Sequence, residues 1–168
     1  KFDISEKFIE ENMMGPNSII ILKELLKNTP LKKGMKVLDL GCGRGLTSIF
    51  LAKEYDVNIY AVDLWTSAEE NLNRFKQTNT DQNIIPFQAD AYNLPFENEY
   101  FDAVISVDSY HYFGNNDEYF NKYLKKYLKK DAIIALAFPG MKFEIKDNIP
   151  EEMKPFWGKD ILEMCHSI

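Results

Sequence analysis

At 168 residues, 45% of them hydrophobic and 14% aromatic, the chain is long enough for one globular domain with a real core. Its formal charge of -6 opposes a phosphate backbone over most of the surface and argues against a nucleic-acid substrate. No apolar run approaches the roughly 18 to 20 residues of a membrane span, and the N-terminus lacks a signal peptide's apolar core, so the cytoplasm is the expected compartment.

In chain order, Pro16 to Asn28 carries an apolar stripe at helical spacing, with a proline near its first turn and Pro30 beyond its end. "MKVLDLG" reads as a buried strand, and Leu46 to Tyr55 as the helix after it. Asn58 to Leu64 is expected to be a second strand and Ser67 to Gln77 a polar helix. Asn83 to Asp90 is a third strand whose internal Pro86 suggests an edge position, because proline cannot donate to a ladder. Phe101 to Ser109 supplies a fourth strand. A helix capped by Asn115 or Asn116, with Asp117 and Glu118 in its first turn, is expected to run through Leu128. Its lysine-rich end, "KYLKKYLKK", suits the negative pole of a helix dipole and solvent. Ala132 to Phe138 is the fifth strand, halted by Pro139 and Gly140.

Apolar strands alternating with helices predict a Rossmann-like, doubly wound α/β fold: a mostly parallel sheet with helices on both faces. Ligands of such sheets bind outside the carboxyl ends of the strands. The glycines of "GCGRG", Asp63, Asp90 and Asp108 all fall at such ends.

Gly41, Gly43 and Gly45, with Cys42 between the first two, turn the first strand into a helix and let backbone approach a ligand closely. A dinucleotide fingerprint would place glycine where Leu46 stands, and no Gly-Lys-Ser/Thr follows, which excludes a P-loop. Asp63 sits where an acid can accept from both hydroxyls of a ribose. Asp39 adds a second carboxylate beside the turn, which suits a cationic ligand better than a pyrophosphate. A sulfonium bearing a free amino group is such a ligand.

"VLDLGCGRG", then "VDL", then "QADAYNLPFENEYFDAVISVDSYHYF" resembles the class I S-adenosylmethionine-dependent methyltransferases, especially the small-molecule and lipid branch that includes ubiquinone-biosynthesis-type enzymes. The resemblance covers about Gly15 to Gly140. It implies S-adenosyl-L-methionine as cofactor, with Gly41, Gly43 and Gly45 along its methionine part and Asp39 near its amino group. Asp63 would hold the ribose, Leu64 and Trp65 would lie near the adenine, and Asp90 with Ala91 would meet the adenine edge. Met14 and Gly15 belong to a segment that resembles the family's cofactor cover, where Phe8 is a further candidate.

Methyl transfer is an in-line displacement, so holding the acceptor in near-attack geometry can supply most of the catalysis. The resemblance puts that event at "SVDSYHYFG", with Asp108, Tyr110, His111 and Tyr112 as candidates and His111 as a base if the acceptor must lose a proton. No Asn/Asp-Pro-Pro-Tyr/Phe tetrapeptide and no Pro-Cys nucleophile is present, which agrees with the charge in favouring a small-molecule or lipid-like acceptor. The two cysteines offer no metal-ligand spacing, and Cys165-His166 is read as structural. Two rivals remain: a non-catalytic S-adenosylmethionine-binding module, and an NAD-dependent oxidoreductase.

The family's sheet ends in an antiparallel hairpin, whereas residues 141–168 offer a possible short strand, "MKFEIKD", and a helix, "GKDILEMCHSI". With no initiator methionine, the chain is expected to be a single methyltransferase domain trimmed at its end. Its parts would be a cover and first helix over 1–30, a cofactor-binding core over 31–140, and an incomplete remainder that lacks the hairpin and leaves the fifth strand's edge open.

Overall fold

A computed structural model of the chain describes residues 2–114, 116, 118–140 and 149–156. The helices are α1 (Glu6–Asn12), α2 (Ser18–Leu26), α3 (Leu46–Tyr55) and α4 (Ala68–Gln77), and the strands are β1 (Lys36–Leu40), β2 (Asn58–Asp63), β3 (Ile84–Gln88), β4 (Phe101–Val107) and β5 (Leu128–Ala137). All five strands run parallel, in the order β3-β2-β1-β4-β5, so the order reverses between β1 and β4. β3 is an edge strand, and Pro86 lies within it opposite Ala61.

Successive strand residues point to opposite faces. Val37, Ile59, Ala61, Ala103 and Ile105 join one apolar cluster with Leu22 and Leu26 of α2, Ile49 and Phe50 of α3, and Phe75 of α4. Leu38, Leu40, Val62 and Val104 join a second with Ala91, Leu94, Tyr119, Leu124 and Tyr127. Burial on both faces along β1 and β4 explains the apolar Val37, Leu38, Leu40, Ala103, Val104 and Ile105 in their middles, where alternation with polar residues is absent.

Local chemistry sets the helix limits. Asn17 caps α2 through its side chain, and Ser67 and Glu70 form a reciprocal capping box at α4. Six successive residues of α3, Leu46 to Leu51, are buried, so this helix runs through the core without a polar face in its first half.

The second face of the sheet departs from the sequence expectation. Among the described residues from 118 to 128 there is no regular α-helix: a short 3₁₀ turn holds Tyr110–Tyr112, a π-helix Phe120–Leu124 and a 3₁₀ turn Lys125–Tyr127, with β5 already beginning at Leu128. The buried residues explain the change. Tyr119 and Leu124 stand five apart, a spacing that a wide π turn brings to one face and a 3.6-residue helix sets about 140° apart, and Tyr127 follows at three, the repeat of a 3₁₀ turn. The Tyr119 hydroxyl donates to the Ala91 carbonyl at 3.0 Å and the Tyr127 hydroxyl to that of Leu94 at 2.8 Å, fastening the segment to the loop after β3. β5 starts earlier than expected because Leu128 pairs with Phe101 before a bulge, with Asp131 at φ 65°, carries the strand out to the Ala103–Ile133 register. The capping roles of Asn115 and Asp117, the strand at 141–147, the helix at 158–168 and the Cys165-His166 pair lie outside the described residues.

Candidate functional site

A cavity of about 420 Å³ opens at the carboxyl ends of β1, β2 and β4, beside the point where the strand order reverses. Its floor is the turn after β1. Gly41 and Cys42 both donate their backbone N–H to the Val62 carbonyl, at 2.8 and 3.0 Å, which bends the chain across the end of β2. Gly43 N–H donates to Oδ2 of Asp63 at 2.8 Å, and the Gly43 carbonyl accepts from Asn71 Nδ2 at 2.9 Å. Gly43 has φ 52°, and a Cβ there would stand 2.9 Å from Met14 Sδ, so only glycine fits comfortably under the segment that crosses it.

The other two glycines act differently. A Cβ on Gly41 would lie 2.3 Å from Ser109 Oγ, in the packing between this turn and the end of β4. Gly45, at φ 78°, presses against Phe75 and is not among the residues lining the cavity.

Asp63 lines the cavity while its carboxylate collects three backbone N–H groups: Gly43 on Oδ2, and Trp65 and Thr66 on Oδ1, each at 2.9 Å. An ionised carboxylate has about four acceptor sites, so capacity remains for a ligand hydroxyl. Asp39 does not line the cavity. It is 1% exposed, and its Oδ2 accepts from the hydroxyls of Thr47 and Ser48, both at 2.6 Å, so its carboxyl ties β1 to the first turn of α3. Burial, with the nearby Asp63 charge, pushes its pKa up to about 6 against the pull of those hydroxyls. Cys42 lines the cavity, and burial raises its thiol well above the ordinary range, which makes it an unreactive packing residue.

Leu64 and Trp65 line one wall and are largely exposed. Asp90 and Ala91 stand nearby, where Asp90 Oδ1 accepts from the Tyr92 N–H at 2.9 Å and turns Tyr92 into the wall. The Tyr92 hydroxyl reaches the Phe113 carbonyl at 2.9 Å and joins this wall to the segment after β4.

On the β4 side, Asp108 lines the cavity with φ 54°, a conformation that costs energy in a non-glycine residue. Gly15 lies over it: a Cβ on Gly15 would be 3.2 Å from Asp108 Oδ2. Tyr112 also lines the cavity, its ring 5.5 Å from that of Trp65 in an edge-on contact. Tyr110 and His111 do not line it. Tyr110 is buried against Phe113, Tyr119 and Phe138. His111 is buried too, its Nδ1 has no partner among the described residues, and burial lowers its pKa against the opposing charge of Asp108.

Met14, Gly15, Pro16 and Ser18 line the cavity, whereas Phe8, within α1, packs against the core. Arg44 and Asn12 line the cavity and carried no signal in the sequence beyond a lone cation inside the glycine turn. Tyr92 was equally silent, although an Asp two residues before it is the mark of an Asx turn. Among the described residues no cluster of His, Cys, Asp and Glu suits a metal ion, and no helix is long and apolar enough to cross a membrane.

A family model described as "Methyltransferase domain" matches residues 37–131, from β1 into β5. The chain belongs to this methyltransferase-domain family. It is 32% identical over 84 residues to 27-O-demethylrifamycin SV methyltransferase of Amycolatopsis mediterranei (strain S699), covering 49% of this chain and 31% of that protein. It is 31% identical over 123 residues to cyclopropane-fatty-acyl-phospholipid synthase of Escherichia coli (strain K12), covering 72% and 30%. The chain thus matches less than a third of the length of those two relatives. Among solved structures, phosphoethanolamine N-methyltransferase 2 of Haemonchus contortus, in complex with S-adenosyl-L-methionine, superposes with a TM-score of 0.73 at 23% identity over 95% of this chain and 35% of that one. The chain and that solved structure share their fold.

Proposed function

We propose that this domain binds S-adenosyl-L-methionine and transfers its methyl group to a small-molecule or lipid-like acceptor. The observation that carries the reading is the cavity itself, in which the Gly41–Arg44 backbone and the carboxylates of Asp63, Asp90 and Asp108 converge beside the apolar surfaces of Leu64, Trp65 and Ala91. Backbone for an amino-acid chain, a carboxylate with spare acceptor capacity for a ribose, and an apolar slot for a flat ring fit that cofactor's parts. Bound there, it supplies an electrophilic methyl group on a sulfonium.

The chain's own residues then have distinct tasks. Asp63 accepts from ribose hydroxyls while its backbone contacts hold it in place. Asp90 and Ala91 border the ring, and the Met14–Pro16 segment keeps water from the reacting face. Asp108 and Tyr112 face the cavity and orient the acceptor, which places catalysis in positioning rather than in a strong base. Proton removal falls to His111 only if the acceptor side brings it within reach; its lowered pKa leaves the imidazole unprotonated at neutral pH, free to accept a proton although a weaker base than an exposed histidine. The charge of -6 supports a small-molecule acceptor rather than nucleic acid.

Calorimetry with S-adenosylmethionine, S-adenosylhomocysteine and NAD, on this chain and on Asp63→Ala, tests the reading. Both sulfur compounds should bind the unaltered chain and NAD should not. The variant should lose roughly tenfold to 100-fold in affinity, the usual worth of a charged acceptor. NAD binding alone, or no binding of any of the three to a folded chain, overturns the assignment.

A further inference from the structure

α1 is seven residues long and buries none of them completely, so apolar packing fixes its position weakly. Polar contacts hold it instead, and two of them lead to the glycine turn. Arg44, inside that turn, donates from a terminal guanidinium nitrogen to the Glu11 carbonyl at 2.8 Å, at the carboxyl end of α1 where a cation is favoured. Arg74, on α4, donates from Nε to Oδ1 of Asn12 at 2.8 Å and from its other arm to Oδ1 of Asn71 at 3.0 Å. Asn71 is 2% exposed and passes the connection on, its Nδ2 donating to the Gly43 carbonyl at 2.9 Å. The Gly43 N–H then reaches the Asp63 carboxylate.

A continuous hydrogen-bonded path therefore runs from the cover over the cavity, through Arg74 and Asn71, to the peptide that forms the floor and to the carboxylate beside it. Asn12 is its first member and also lines the cavity, directly before Met14 and Gly15 cross above Gly43 and Asp108. Because the Arg74 contacts are partly buried, they are less screened than the exposed Lys7–Glu11 pair on the same helix. A planar fork that engages two amide oxygens at once is a task lysine cannot copy.

We propose that Arg74 is a positioning residue for the cofactor: it touches nothing that reacts, but joins the cover to the floor so that the cavity closes as a unit. This rests on the reading of the cavity as an S-adenosylmethionine site. Release of the ligand requires the Asn12–Pro16 segment to part from the floor, and Arg74 sets how often that happens.

The test combines stopped-flow dissociation of S-adenosylhomocysteine with amide hydrogen exchange on the unliganded chain, for Arg74→Ala, Arg74→Lys, Asn12→Ala and the Arg74→Ala/Asn12→Ala pair. Arg74→Ala should release the ligand roughly tenfold faster, the size expected for partly buried hydrogen bonds to a charged group. Asn12→Ala should do much the same, the pair should exceed either single change little, and Arg74→Lys should not rescue. Exchange should quicken over residues 6–16 and stay unchanged in β1, β2 and β4. Release within twofold of the unaltered chain, additive effects of the two changes, or exchange that quickens throughout the sheet would each overturn the proposal. If the unaltered chain binds no S-adenosylhomocysteine, the cofactor reading falls, and the exchange of residues 6–16 alone decides whether Arg74 joins cover and floor.

Discussion

The two rims of the cavity are built in different ways. On the β1–β2 rim backbone N–H groups converge on two acceptors: those of Gly41 and Cys42 on the Val62 carbonyl, and those of Gly43, Trp65 and Thr66 on the Asp63 carboxylate. On the β4 rim the chain follows Asp108 through a left-handed residue into a 3₁₀ turn, and ring packing among Tyr110, Phe113 and Tyr119 holds it. Those backbone donors fix one geometry around a single side chain, Asp63, whereas ring packing changes with every substitution. The first rim suits a cofactor whose shape is constant, and the second an acceptor that differs from enzyme to enzyme.

The largest effect that sharpens this contrast is expected at Gly45. An alanine there must adopt φ 78° and place its Cβ 2.4 Å from Phe75 Cε1. Backbone strain and overpacking together should cost about 4 kcal/mol. Gly34 has nearly the same φ of 79° with nothing near its Cβ, so Gly34→Ala should cost only about 1 kcal/mol. Urea denaturation of both variants isolates the close approach of α3 to α4; equal losses would mean that backbone strain alone explains Gly45.

Next in size is a pH effect at Asp39. Its pKa is raised to about 6, first by burial, so from roughly pH 4 to 6 the folded chain keeps a proton that the unfolded chain has released. Folding stability from this group therefore falls as pH rises through that window, by about 3 kcal/mol in all. His111 runs the other way, because its lowered pKa costs stability as pH drops below its ordinary value. Asp39→Asn leaves His111 in place, so the difference between variant and unaltered chain reports Asp39 alone. That difference in unfolding free energy should move in the variant's favour between pH 4 and pH 7, whatever its starting value. A flat difference would mean that Asp39 ionises freely inside the fold and that the Thr47 and Ser48 hydroxyls outweigh its burial.

Asp39 also marks how far the sequence could be read. Its position at a strand end beside the glycines placed it correctly in the chain, but strand register turned its side chain to α3 instead of the cavity. The four strand ends, α3 and the polar helix α4 were legible because periodicity decides them. Residues 116 to 128 were misread because buried Tyr119, Leu124 and Tyr127, docked on Ala91 and Leu94, override a helical composition. Arg44, Asn12 and Arg74 left no pattern, since Arg44 meets Glu11 33 positions away and Arg74 meets Asn12 62 positions away in the chain.

The smallest effect tests the division between the rims. Tyr112 is 54% exposed, lines the cavity and meets Trp65 only edge-on, so truncation removes little buried surface. Tyr112→Ala should shift the unfolding free energy by no more than about 0.5 kcal/mol, as exposed positions do. If the β4 rim serves the acceptor alone, S-adenosylhomocysteine should bind this variant within about threefold of the unaltered chain, since one edge-on ring contact is worth on the order of 0.5 kcal/mol. A tenfold loss in the same calorimetric titration would mean that the Trp65–Tyr112 pair clasps the cofactor across both rims. Asp108 would then be the cavity residue nearest to a dedicated acceptor contact, and the backbone-built rim would no longer account for cofactor binding by itself.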